Sequence, residues 1–441
     1  MSRLRAADVL PLVAAAAIPL IFMHVHFQAH ASLGPLDVYD SDVAIAVVVL
    51  CAAASGLLYG WAPLRPALWL WVLAGALLAF WVLACLWRPV EMPTKHLVSA
   101  AKIIEYALLA PSVALLFRRQ LDVDRFLAVF VAWAFAAAAY GTLMFLGLVK
   151  DPLAQPPGFR PGQREVSFIG HQDLGSFTGA ALAIGFAAVA LGLHRRLAPV
   201  ALLGGAVGVI LDASAFVYLG VLLAAAAVVV VARHLRTLNV RRLAVIGAVL
   251  AVVAGGVLVL RGSDVTNYLG WLGVTKPETK SVESDVQTGS QRTMLLWMGW
   301  QMFKDHPVLG IGFERSNFDF GPYLPAMKAK FPHQPPEAYP SRQNPWGVQS
   351  FWVELLADTG VVGFVLAVAA FLTGLALALR TAWRRSFTGL VAAGLILVAA
   401  GTLNAIGIVA GIPLDAVAWL GLGLAGVAAS LAAAGTPPAP V

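Results

Sequence analysis

Three stretches of this 441-residue chain hold the side chains whose types and spacing could do chemistry. The first, Lys150 to Asp173, reads KDPLAQPPGFRPGQREVSFIGHQD, and its prolines and glycines predict a loop carrying Arg160 and Arg164 up to His171 and Asp173. The second, Gln291 to Phe320, reads QRTMLLWMGWQMFKDHPVLGIGFERSNFDF. It predicts a helix that bears Arg292, stops at His306-Pro307 and turns on Gly310 and Gly312 just before Arg315. The third, Phe331 to Asp358, is rich in proline, polar and aromatic residues and returns to apolar sequence through VQSFWVELLADTGVVG. The planar guanidinium fork suits phosphate or diphosphate, so Arg160, Arg164, Arg292, Arg315 and Arg342 could together line a site for an anionic head group. Each arginine taken alone is better explained as an interfacial side chain, a partner for a loop carboxylate or a contact to ordinary anionic lipid. The set carries the reading.

The elements that must position these residues are membrane helices. Apolar residues make up 60% of the chain and charged residues 12%, and the apolar ones fall in long blocks rather than at amphipathic spacing. Blocks of roughly 20 apolar residues are what a spanning helix needs, which excludes a soluble fold and predicts an all-α integral membrane protein. Spans are expected near Val9–Met23, Val43–Tyr59, Ala67–Trp87, Leu97–Phe117, Phe126–Val149, Gly170–Leu193, Pro199–Leu211, Phe216–Ala232 and Leu243–Leu260. Three more are expected near Phe351–Leu379, Phe387–Ala410 and Leu414–Ala434, about twelve in all. The chain thus divides into an N-terminal bundle at 1–260, a long polar loop at 261–350 containing short helices, and a C-terminal group of helices at 351–441. A first helix is expected to be retained, although Ala29-His30-Ala31 resembles a signal-peptidase site. Cys51 and Cys85 both lie in apolar blocks and read as packing residues.

Every second short connection is basic, with fifteen arginines on one side, from Arg3 to Arg385, against five basic residues on the other. Basic loops stay on the cytoplasmic side, so both termini are expected in the cytoplasm and the 261–350 loop outside, in an inner or plasma membrane. Most of the net charge of +7 follows from this topology and calls for no nucleic acid.

Glu354 to Gly363 (ELLADTGVVG), Lys304 to Gly312 (KDHPVLGIG), Arg292 on the preceding helix and the Arg164–Asp173 stretch together resemble the O-antigen ligase and polymerase superfamily. That resemblance implies about twelve helices of the GT-C kind and a long periplasmic loop. It also implies metal-independent glycosyl transfer from a polyprenyl-diphosphate carrier to an acceptor hydroxyl at the outer membrane face. The partners are then the lipid-linked glycan donor, a glycan or glycolipid acceptor and membrane lipid, with no cofactor. Matched position by position, Arg164 and Arg292 stand where the family binds diphosphate, and Arg315 beside the glycine turn is a further candidate of our own. Where the family has a histidine that activates the acceptor, this chain has Gln349-Ser350, and glutamine orients a hydroxyl but is no base. His333 and Glu337 rank first as replacement bases, with Asp319, His171 and Asp173 behind them, and loss of the usual chemistry is the remaining alternative. At Asp212-Ala213-Ser214, where relatives commonly carry a Ser-Arg pair, a phosphate contact is missing. Gln349, Trp346 and Trp352 are expected near the acceptor or sugar.

Lys102 and Glu105, three apart within a span, are expected to neutralise one another. No Walker loop, zinc spacing or Ser-His-Asp order supports ATP or metal chemistry. A lipid-linked glycan transporter would bind the same carrier without cleaving it, but internal repeats and midplane charges are not apparent. A non-catalytic carrier-binding relative and a polymerase stay open beside the ligase reading.

Overall fold

The computed structural model describes residues 6–24, 27–33, 36–87, 93–149, 167–169, 171–271, 289–344, 346–405 and 412–435. These are mostly helical. The first half comprises α1 (Ala6–Ala17), a hairpin of β1 (His30–Leu33) and β2 (Leu36–Tyr39), α2 (Asp40–Tyr59), α3 (Leu68–Trp87), α4 (Pro93–Ala107), α5 (Leu109–Leu116) and α6 (Gln120–Phe145). After it come α7 (His171–Leu191), α8 (Leu197–Asp212), α9 (Ala215–His234), α10 (Val240–Trp271), α11 (Gly289–Asp305), α12 (Leu324–Lys330), α13 (Phe351–Ala382), α14 (Phe387–Thr402) and α15 (Ile412–Ala433). Among the described residues eight helices are long and apolar enough to cross a membrane, and three shorter apolar ones lie at Ala7–Phe22, Leu197–Asp212 and Phe387–Thr402. The chain is a multi-pass membrane protein.

Three expectations are modified. The antiparallel hairpin, paired from His30 with Tyr39 to Leu33 with Leu36, adds two strands outside the apolar blocks. The span expected at Leu97–Phe117 is divided between α4 and α5, because Pro111 has no N–H to give the carbonyl of Ala107 and its ring crowds that carbonyl. The last span before the loop does not end at Leu260, since α10 continues as helix through the polar residues up to Trp271.

Burial separates centre from rim. In α7, 94% of the apolar window is buried, against 17% in α10, so α7 is the axis around which α6, α8, α9 and α14 gather and α10 lies on the outside. Small residues allow this closeness, as they commonly do between membrane helices, where van der Waals packing replaces the hydrophobic drive. At the crossing of α9 and α14, a Cβ on Gly401 would come within 2.5 Å of Gly220 Cα, so backbone touches backbone there.

Polar side chains fasten the ends. Arg118 donates from Nε to Leu115 O (2.9 Å), from Nη1 to Tyr59 O (3.0 Å) and from Nη2 to Gly60 O (2.6 Å) and Ser55 O (3.2 Å). One guanidinium thereby takes up the carbonyls left open where α2 and α5 both end. At the other end of α2, Lys102 pairs with Asp42 as well as with Glu105, the latter at 3.5 Å. The expected neutralisation within α4 is therefore a three-membered pair across helices. Cys51 and Cys85 are both free thiols.

Candidate functional site

The second and third polar stretches meet at a break in a helix. α13 is interrupted at Gly360, whose φ of 61° and ψ of −163° belong to a region that only glycine occupies readily. In an unbroken helix the amides of Val361 and Val362 would bond the carbonyls of Ala357 and Asp358. Instead Val361 N–H donates to Pro307 O (2.8 Å) and Val362 N–H to Val308 O (3.3 Å), while Ala357 O and Asp358 O accept from Ile311 N–H and Gly312 N–H, both at 2.9 Å. The four backbone groups released by the break are all taken by the HPVLGIG turn, as burial inside a membrane protein demands. Gly310, at φ 69°, faces the break so closely that a Cβ would overlap the Asp358 carbonyl, and one on Gly360 would overlap that of Val308.

Side chains tighten the same joint. Asp358 is fully buried and its Oδ1 accepts Ser316 N–H at 3.0 Å, which draws the segment after the turn onto α13. Glu314, buried at φ 61°, and Glu354, buried one helical turn before Asp358, bring two further carboxylates into the interior. None of these three was singled out from the sequence, although Glu354 and Asp358 stand four apart in an apolar block, and a charge in such a block is a signal of function. Between Glu314 and Ser316, Arg315 is half-buried and its Nε is paired with Asp319 Oδ2 at 2.6 Å. Asp319 is thus engaged in orienting an arginine.

A second joint holds the other end of the loop. Gln291 Nε2 donates to Ala338 O (2.8 Å), and Trp346 Nε1 donates to Glu337 O (2.8 Å). The turn at Pro336–Ala338 is therefore clamped between the start of α11, where half-buried Arg292 sits, and Trp346. Met294, Leu295 and Met298 of α11 pack with Ile311, Val348 and Ala357 beneath it. At the far end of α11, the phenol of Tyr323 is pushed up to about 12, first by burial and then by its hydrogen bond with Asp305, so it is a neutral group there.

The structure brings Arg292, Glu337 and Trp346 to one joint and Arg315 to the other, with α11 running between them. The Glu337 side chain is exposed, and so is that of His333, beyond the end of α12. Gln349 is half-buried, directly before Ser350 at the start of α13. Trp352 turns into the bundle: its Nε1 donates to Ala400 O (3.2 Å) and its ring meets Phe351, Phe364 and Phe371 edge-on. Arg160 and Arg164 lie outside the described residues, as does the side chain of His171. Asp173 is half-buried in the first turn of α7. Among the described residues no group of three His, Cys, Asp or Glu side chains is placed to hold a metal ion.

The site is thus a helix broken at Gly360, with its open backbone groups closed by residues 307–312 of the arginine-bearing loop. Residues 199–368, from α8 to beyond the break in α13, match the family described as O-Antigen ligase. The matched segment thus takes in the α11 arginine, the glycine turn and the broken helix, and it is this part of the chain that is similar to that family. No curated protein matches the chain.

Proposed function

We propose that this protein transfers a glycan from a polyprenyl-diphosphate carrier to an acceptor hydroxyl at the extracytoplasmic face of the membrane. The observation that carries the reading is that the family match covers the α11 arginine, the glycine turn and the broken helix, the parts that lock together. Arg164 and Arg292 bind the diphosphate and Arg315, oriented by Asp319, assists. As the acceptor oxygen bonds to the anomeric carbon, the bond from that carbon to the phosphate oxygen breaks and the electron pair leaves with the carrier diphosphate. Fixed guanidinium groups stabilise the charge that develops there. Glu337 or His333 takes the acceptor proton, and Glu337 is favoured because its turn is clamped to the first turn of α11 beside Arg292. Gln349 and Trp346 hold the acceptor or sugar, and Trp352 supports them from within the bundle. A ligase delivers to a distinct end acceptor and a polymerase to another carrier-linked repeat, so acceptor choice separates the two.

The test is mass spectrometry of polyprenyl-diphosphate glycan co-purifying with wild type and Arg292→Ala, followed by incubation of loaded wild type with candidate acceptors. Donor lost from a folded variant and glycan transferred by the wild type is the expected result. Normal donor retention by Arg292→Ala would overturn the site. Arginine-dependent binding without transfer to any acceptor would instead indicate a transporter or a non-catalytic relative.

A further inference from the structure

A cleft lies at the α7–α8 hairpin, with a volume of about 330 Å³. Its wall is apolar, built from Val189, Leu193 and Leu202 among others, and its rim carries Arg195 and Arg242, with Pro199 also exposed beside it. Among the described residues no carboxylate lines it. Arg242 is held in place: its Nη1 donates to Thr237 O (2.5 Å) and to Ala190 O (3.4 Å) near the end of α7. A guanidinium has five N–H donors, and those two carbonyls engage Nη1 alone. Gly192, at φ 73°, makes room for the guanidinium, since a Cβ there would overlap Nη2. Arg195 is exposed and makes no ion pair among the described residues. A fixed cation, a free cation and an apolar wall at the end of a membrane helix complement one kind of molecule, a lipid with a negative head group.

We infer that this cleft binds an anionic phospholipid, the phosphate on Arg195 and Arg242 and the start of an acyl chain against the apolar wall. A free phosphate would satisfy the arginines and leave the wall open to water. A zwitterionic lipid would fill the wall and bring a cation of its own to the rim. The lipid would cover the turn between α8 and the buried central helix α7. The inference is independent of the glycan-transfer reading, and its test reads no transfer activity.

Native mass spectrometry of the full chain, titrated in detergent with phosphatidylglycerol or with phosphatidylethanolamine, tests it. Phosphatidylglycerol is expected to bind wild type in preference to phosphatidylethanolamine, and Arg195→Gln to weaken that binding about fivefold. Pro199→Trp, at an exposed position on the mouth, should block it without disturbing the packed interior. Arg384→Gln, an exposed arginine outside the cleft, should leave it unchanged. Equal binding of the two lipids would overturn the inference. So would unchanged binding in both cleft variants, or a loss with Arg384→Gln as large as with Arg195→Gln.

Discussion

Asp358 is fully buried, and its carboxylate accepts the amide of Ser316. An amide oxygen can accept that bond equally well, and an uncharged amide is less costly to bury than a carboxylate. Asp358→Asn is therefore expected to melt at or above the wild-type temperature in detergent. Asp358→Ala removes the acceptor and is expected to lose about 1–3 kcal/mol. A lower melting temperature for the asparagine variant than for the alanine variant would show that the charge itself is needed. At this scale the sequence shows residue type, so the arginines, Gln349 and the loop carboxylate Glu337 could be put forward from it as candidates. Partnership was not legible. Asp42 joins Lys102 from a different helix, and nothing in the spacing of Lys102 and Glu105 points to it.

The broken helix belongs to the scale of elements. Its glycine is required twice over, by a backbone conformation that side chains resist and by the nearness of the Val308 carbonyl. Gly360→Ala is expected to cost about 1–3 kcal/mol from the conformation alone, with the overlap adding to it. A size-exclusion profile and melting curve matching wild type would contradict the described exchange. Apolar blocks disclosed most helices because length and composition are enough to commit a segment to the membrane. They could not disclose the break, because a glycine within an apolar run is compatible with continuous helix unless a partner for the freed groups is known. Here the partner, residues 307–312, lies in a separate stretch of sequence. The extension of α10 to Trp271 was hidden for a related reason, since a polar helix beyond an apolar one leaves no block to count.

For the whole molecule, the basic connections argue for a defined orientation, with Arg342 outside and Arg384 inside. Single cysteines at these two exposed positions, probed in intact cells with a membrane-impermeant thiol reagent, should label at 342 and stay unlabelled at 384. The reverse pattern would invert the molecule and remove the loop from the face where the proposed chemistry occurs. The expected orientation rests on a sum over many arginines, and the labelling decides it. The central place of α7 was not legible in the sequence, because an apolar helix at the axis and one at the rim, such as α10, differ little in composition while differing widely in burial.

The joint between turn and broken helix pairs a segment made early with one made late. Residues 307–312 leave the ribosome before residues 357–362, with the two carbonyls and two amides that the later segment closes in the folded protein. When α13 reaches the translocon it brings four open groups of its own making, and a matching set is already present in the chain that preceded it. The earlier loop thus holds the backbone partners that the break in the later helix uses. A nascent chain released before Phe351 would leave the template standing without the strand of backbone it was shaped to receive.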